Sequence, residues 1–416
     1  MNFNKLLSGN ITKYQKEGFI MISVGIDVSK GKSTVCIMKP CGEILESPFD
    51  IGHTADELDS LISLIKSFDE ETRVVMEDTG HYHLPVATYL SSHNIFVCCV
   101  NALRMKKFCS QSIRRAKTDK IDSIKIASFG ITYWNELVKA YHSNVIYDEL
   151  KFLARQYYQV TGMLVKSKVN FSNLLDQVMP KINDVLSNQG ENHKLTEFVS
   201  RYIHFQNILD MGEMKFTSDY CKWAKKKGYR LNERKAAEIL ALAQNGIPTL
   251  PNYQSVKIAV SEAVKLIHSI EESRNTILAQ MQDLCNTLPE YSVVKEMDCI
   301  GDTLAPRIIA EIGDVRRFKN KHSLIAYAGI DAPPYQSGAF HASERHISKR
   351  GNSYLRKTGY EIMQSLIKHK PADNAVYDFI QKKRSEGKCG KEAMIAGLNK
   401  FLRVYYGKVM EFYSEH

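Results

Sequence analysis

The sequence predicts an α/β domain at the N-terminus followed by a longer, mainly helical part, and three observations carry that reading. Short β-branched runs alternate with helix-like segments from residue 21 to about 146. From about 147 to 290 the apolar spacing becomes three and four, in segments too long for any strand. From about 291 onward, short helical patterns surround glycine-containing turns. With 416 residues, 44% of them hydrophobic, the chain can bury substantial cores in two or three domains.

The strands come first. "MISVGIDVS", "STVCIMKP" and "ILESPFDIG" are apolar runs separated by a few residues, so they predict three strands of a meander. "TADELDSLISLIKSF" has helical spacing, and "RVVMED" and "IFVCCVN" are two further strands with a helical stretch between them. A strand, helix and strand in succession predict a parallel pair. A meander feeding a parallel pair is the order of an RNase H-like fold. Residues 1–20 carry no signal-peptide pattern; they are expected to be a flexible extension, or leader sequence upstream of a start at Met21.

Next come "YDELKFLARQYYQVTGMLVKSKVNFSNLLDQV" and "SVKIAVSEAVKLIHSIEESRNTILAQMQDLCNTL". Both are amphipathic and predict two long helices forming an antiparallel or an intermolecular coiled coil, with Leu266 and Ile270 on one apolar seam. The basic piece between them, "KWAKKKGYRLNERKAAEILALAQNG", is a solvated helix face before it is a nucleic-acid contact. "VVKEMDCIGDTLAPRIIAEIGDVRRF" resembles a helix-hairpin-helix, with Cys299 where a first glycine is usual. The expected division is 21–146, 147–290 and 291–416.

Charge and cysteine usage narrow the class. Lys and Arg number 56 against 46 Asp and Glu, a net +10 that weakly favours a polyanionic partner. The nine cysteines include no CxxC pair, which argues for a reduced, intracellular protein without a zinc ribbon. No uncharged run approaches the roughly 20 residues of a membrane span, so no membrane partner is expected.

Asp27 ends the first strand and Glu77 ends a second apolar run, "RVVMED"; adjacent parallel strands would set them side by side. In "RRAKTDKIDSIKIASFGI", Asp119 and Asp122 stand i and i+3 and share a helix face. Four converging carboxylates need a cation, and hard oxygen ligands suit Mg²⁺ or Mn²⁺. Read singly, Asp27 is equally a turn former, Glu77 or Asp78 a cap, and "TDKID" a helix start capped by Thr118; only the joint arrangement favours a metal site. Arg104, Lys106, Lys107, Arg114, Arg115, Lys117 and Lys120 crowd the same helix, as a phosphate backbone approaching the ion would require, or as a plain surface charge run. Ser29, Lys30 and Lys32, just after Asp27, would flank that path.

These residues carry a resemblance. "GIDVSK", "MEDTG" and "AKTDKIDSIKIA", followed by "AYAGIDAPPYQSG" and "ISKRGNSYLRK", resemble the insertion-sequence 110 family of DEDD transposases, to which the Piv-type DNA invertases are similar. The resemblance covers nearly the whole chain from Met21. It implies a RuvC-like domain, a coiled-coil linker and a C-terminal transposase domain. It also implies that Asp27, Glu77, Asp119 and Asp122 are the catalytic carboxylates and Ser337 the nucleophile. The implied partners are donor and target double-stranded DNA, a structured noncoding bridge RNA, and further copies of the chain, as a homodimer assembling to a tetramer. The implied place is the bacterial cytoplasm, on the nucleoid when acting.

Without the resemblance, Ser337 is an ordinary turn serine. "PPYQSGAF" puts it on a Pro-rich, Gly-flanked loop, and "SERHISKRGNSYLRK" supplies Arg345, Lys349, Arg350, Arg356 and Lys357. Serine attack on a phosphodiester needs such charge, or a metal, nearby. The competing functions are a metal-dependent nuclease of Holliday-junction-resolvase type and a noncatalytic RNA- or DNA-binding regulator.

Overall fold

The computed structural model describes residues 21–78, 80–110, 118–139, 145–188, 193–230, 232–332, 336–337, 340–341 and 346–416. The chain forms two compact units, 1–142 and 143–416. The extension 1–20, and with it Arg114, Arg115, Lys117 and Arg345, lies outside the described residues.

In the first unit, strands β1 (Met21–Val28), β2 (Lys32–Met38) and β3 (Ile44–Gly52) form the meander, and β4 (Glu71–Glu77) and β5 (Phe96–Val100) extend it. The sheet order is β3-β2-β1-β4-β5. The β1/β2 and β2/β3 pairs are antiparallel, whereas β1/β4 and β4/β5 are parallel, as the strand spacing predicts. Helices α1 (Ala55–Lys66) and α2 (His83–Ser92) cover one face through Leu58, Leu61, Val86 and Leu90, against Val24, Ile26, Val74 and Met76. Helices α3 (Ala102–Cys109) and α4 (Asp119–Thr132) cover the other, where Val75, Cys98, Val100, Met105, Ile126 and Phe129 pack. Alternation along β1 therefore sends Ile22, Val24 and Ile26 to α1 and α2, and Ser23, Gly25 and Asp27 to α4.

Two glycines fix how α4 lies. A Cβ on Gly25 would sit 2.2 Å from Ala127 N and 2.4 Å from Ser123 O, and one on Gly130 would sit 2.1 Å from Ser23 Oγ. The helix backbone thus rests on the strand, with residue 130 over 23 and residues 123 and 127 over 25. The helix runs opposite to β1, and its first turn comes down at the Asp27 end.

Among the described residues the second unit is helical apart from one small hairpin. Its long helices α5 (Val145–Val178) and α11 (Gln254–Cys285) are 34 and 32 residues long. Between them lie α6 (Ile182–Val185), α7 (Lys194–Tyr202), α8 (Phe205–Met211), α9 (Glu213–Lys226) and α10 (Glu233–Asn245). After them come α12 (Tyr291–Lys295), α13 (Gly301–Ile312), α14 (Lys321–Ala328), strands β6 (Gln336–Ser337) and β7 (Phe340–His341), and α15 (Ser353–His369), α16 (Ala375–Ser385) and α17 (Gly390–Glu415).

Two cores share the long pair. Leu150, Ala154 and Tyr157 of α5 pack with Met281 and Cys285 of α11 and the C-terminal helices. Leu164, Phe171 and Leu175 pack with Val260, Val264 and Ile267 and with the helices between. Early α5 meets late α11, so the pair is antiparallel within one chain. Ile270 is buried in the second core while Leu266 is 52% exposed; the expected shared seam is therefore divided. The basic insert folds as α9 and α10, whose Phe216, Tyr220 and Trp223 face inward.

The hairpin between α12 and α13 places Cys299 at φ +64° and Gly301 at φ +58°. Cys299 thus adopts the left-handed backbone that favours glycine. Lys295 at this turn is ion-paired with Asp302 at 2.5 Å. Among the described residues no helix is long and apolar enough to cross a membrane.

Candidate functional site

The β1/β4 register pairs Ile26 with Met76, so the next residues, Asp27 and Glu77, stand side by side at the ends of two parallel strands. Both point to the α4 face, like Gly25 and Val75 before them. Thr118 caps α4 by accepting a hydrogen bond from Ile121 N at 3.2 Å; this starts the helix at Asp119 and places Asp122 one turn along. The α4 contacts at Gly25 and Gly130 direct that first turn toward Asp27.

Cys109, at the end of α3, reports the same convergence. Burial pushes its thiol up, Lys125 pulls it down, and Asp122, Glu77 and Asp27 push it further up. Asp122 also lies 3.6 Å from Lys125. Asp119 is exposed. Among the described residues no three carboxylate, histidine or cysteine side chains are drawn together as a ligand shell. The donors are nonetheless hard oxygens on neighbouring strands about 5 Å apart, a set that fits Mg²⁺ or Mn²⁺.

Lys30 is exposed at the β1/β2 turn, which Ser29 closes through its N and Oγ, both 3.0 Å from Lys32 O. Lys32 lies 3.6 Å from Asp50. Lys106, Lys107 and Lys120 are exposed. Arg104 is turned onto its own unit, donating to Glu136 and lying 4.8 Å from the Tyr133 ring.

Ser337 belongs to a two-residue strand whose backbone pairs with Phe340, with Gln336 opposite His341. The sequence predicts an open loop; the short antiparallel ladder is the difference. The segment carrying this hairpin leaves α14 and returns to α15 at one point. There Asn352 N donates to Tyr327 O at 2.7 Å, Lys349 N to Gly329 O at 2.9 Å, and Ser348 N to Asp331 O at 2.8 Å. Gly329 and Gly351 touch so closely that a Cβ on Gly351 would lie 2.1 Å from Tyr327 O.

Arg356 closes the junction by donating to Ala328 O and Gly351 O, both at 3.0 Å. Burial lowers its pKa from the ordinary arginine value. Lys357 lies over the Tyr158 ring at 5.0 Å, while Lys349 and Arg350 remain exposed. Beneath the junction Glu311, with a side chain fully shielded from solvent, accepts from Arg155 and, at 2.8 Å, from Asn352 Nδ2. Asn352 Oδ1 meanwhile accepts from Tyr354 N and Leu355 N, capping α15. Sequence reasoning missed Glu311, Arg155 and Asn352 because their partners are distant in the chain. The Asn before "SYLRK" was the one available signal, as a cap.

A transposase model of the IS110 DEDD type matches residues 24–180, and one for the transposase IS116/IS110/IS902 family matches 291–378. An insertion element IS110 protein of 43.6 kDa from Streptomyces coelicolor is 22% identical over 299 residues, covering 72% of each chain. The pilin gene-inverting protein of Moraxella bovis is 26% identical over 136 residues, 32% of this chain and 42% of that one. A solved RuvC from T. thermophilus in complex with Holliday junction substrate covers 28% of this chain and 96% of that one, at 10% identity and TM-score 0.21. The acidic sheet end falls within the first matched segment and Ser337 within the second, and both segments are those of a DNA transposase, an enzyme of DNA recombination. The chain belongs to the IS110 family of transposases.

Proposed function

We propose that this transposase is a site-specific DNA recombinase of an insertion sequence, in which Ser337 becomes covalently joined to DNA. The Ser337 hydroxyl attacks a backbone phosphorus; an Oγ–P bond forms, one P–O bond to the neighbouring nucleotide breaks, and the serine proton ends on the released oxygen. Reversal with a different strand rejoins the DNA and frees the serine. Bond energy is thereby conserved. Asp27, Glu77, Asp119 and Asp122 would hold Mg²⁺ or Mn²⁺, which supplies charge stabilisation to the attacking and leaving oxygens.

The observation that supports this reading is the side-by-side placement of Asp27 and Glu77 under the first turn of α4. In it, Lys30, Lys32, Lys106, Lys107, Arg114, Arg115, Lys117 and Lys120 accompany the sheet unit's DNA, and Arg345, Lys349 and Arg350 the strand at Ser337. Arg104, Arg356 and Lys357 act more by holding local structure. Donor and target duplexes, a structured bridge RNA, the RuvC-like, coiled-coil and transposase division at 146 and 290, and a homodimer assembling to a tetramer complete the reading.

The test is mass spectrometry of a trapped, nuclease-trimmed protein–DNA complex. A nucleotide on Ser337 is expected, and Ser337→Ala should retain DNA binding yet form no adduct. An adduct on another residue, or normal recombination by Ser337→Ala, removes Ser337 from the mechanism. Cleavage with no adduct at all replaces the recombinase by a nuclease that uses activated water. Sequencing RNA that copurifies with the protein tests the guide.

A further inference from the structure

The acidic row at the sheet end is longer than the four carboxylates. Asp27 is paired with Thr34 across β1 and β2, and Thr34 with Asp50 across β2 and β3. Laterally paired residues face the same side of a sheet, so Glu77, Asp27, Thr34 and Asp50 form one line under α4. Lys32, two residues before Thr34, faces that side too.

Asp50 is not placed to share an ion with Asp27. Strands lie about 4.8 Å apart, so β1 and β3 are separated by roughly 10 Å, whereas oxygens around one Mg²⁺ stand about 2.1 Å from it. Its contacts are of another kind. Thr34 Oγ1 donates to Asp50 Oδ1 at 2.6 Å, and Lys32 Nζ stands 3.6 Å from Asp50 Oδ2. The Thr34 hydrogen bond holds the carboxyl below its ordinary range against the opposing effect of burial, with smaller help from the hydrogen bond and charge of Lys32 and then the charge of Lys120. Lys120 belongs to the first turn of α4, between Asp119 and Asp122. One carboxylate, oriented by one hydroxyl, thus faces the ammonium group of Lys32, with the charge of Lys120 a weaker, more distant influence.

We infer that Asp50 and Thr34 are positioning residues that hold Lys32 at the edge of the acidic row to receive a DNA phosphate. The pair steers the backbone past the row at a fixed distance, because a lysine otherwise samples many rotamers and contributes only diffuse charge. The place of this seat in strand cleavage rests on the proposed function above; the lysine geometry itself does not.

The sign of one substitution separates positioning from bulk electrostatics. Asp50→Asn removes a negative charge, so charge alone predicts tighter DNA binding. Positioning predicts weaker binding. The measurement is fluorescence anisotropy of the full chain with a 20-base-pair DNA duplex, in EDTA so that no divalent ion contributes.

Asp50→Asn and Thr34→Val should each weaken binding about threefold, with unchanged thermal melting. Lys32→Met should lower the salt slope by about 0.9 and weaken binding in the parent chain, yet change little further in the Asp50→Asn background, the mark of a coupled pair. Tighter or equal binding by Asp50→Asn, or an equal cost of Lys32→Met in both backgrounds, overturns the inference. The coupled result in a protein whose strand transfer ignores Mg²⁺ upholds the seat while removing the metal from the proposed function.

Discussion

The two units set their key residues by different means. In the sheet unit, backbone register places Asp27 beside Glu77, and no side-chain bond is needed to keep them neighbours. In the helical unit, the backbone bonds at the base of the segment bearing Ser337 are backed by side chains, Asn352, Arg356 and the buried Glu311. The difference teaches where chemistry and stability separate. On the sheet the backbone sets where the carboxylates stand, whereas the residues under the serine segment are themselves structural.

The sharpest test of that contrast is functional. Asp27→Asn should lower DNA strand transfer by about a thousandfold, the scale of losing one charge-stabilising group, while the sheet unit melts as before. Ser337→Ala should remove the adduct altogether. Full strand transfer in EDTA would sink the role given to the carboxylates.

Next comes the buried acid of the helical unit. Glu311→Ala leaves the partly exposed Arg155 guanidinium without its carboxylate and the Asn352 amide with only the weaker acceptors Tyr327 Oη at 3.3 Å and Glu311 O at 3.5 Å, a loss of about 3 kcal/mol, the low end for breaking a buried pair. Denaturant titration should show the loss in the helical unit alone. If both units weaken equally, the contrast drawn above is wrong.

A smaller loss is expected where the sheet unit depends on packing. Gly25→Ala pushes a Cβ into the backbone of α4 at 2.2 Å, an overpacking cost of about 1–3 kcal/mol. Limited proteolysis should cut the sheet unit faster and leave the helical unit resistant. The smallest effect has the opposite sign. Cys299→Gly relieves the left-handed strain at φ +64° and should stabilise the helical unit by about 1 kcal/mol, visible as a raised Tm; a lowered one would mean that the thiol packing outweighs the strain.

What was legible in the sequence follows from range. The strand order was, because each β-branched run and each short connection is local, and the Asp27 and Glu77 placement followed from it. Asp50 was not: register shifts between Val35, Ile37 and Met38 interrupt the β2/β3 pairing, and no local pattern reveals which β3 residue meets Thr34. The long amphipathic helices were legible, but a stripe at three and four does not say whether its partner is the same chain or another. Ile270 turned inward and Leu266 did not. Arg104 and Arg356 read as available bases because sequence cannot show that a long side chain folds back onto its own unit. Ser337 was singled out by resemblance, and the ladder with Phe340 could not be read from residues that look like a turn.

The junction of Tyr327, Gly329, Gly351 and Asn352 has one more consequence. Since departure and return are bonded to each other, the end-to-end distance of the intervening segment is set from outside it, and its closure entropy changes only slowly with length. A change of length between the two anchors is therefore expected to cost the surrounding helices little.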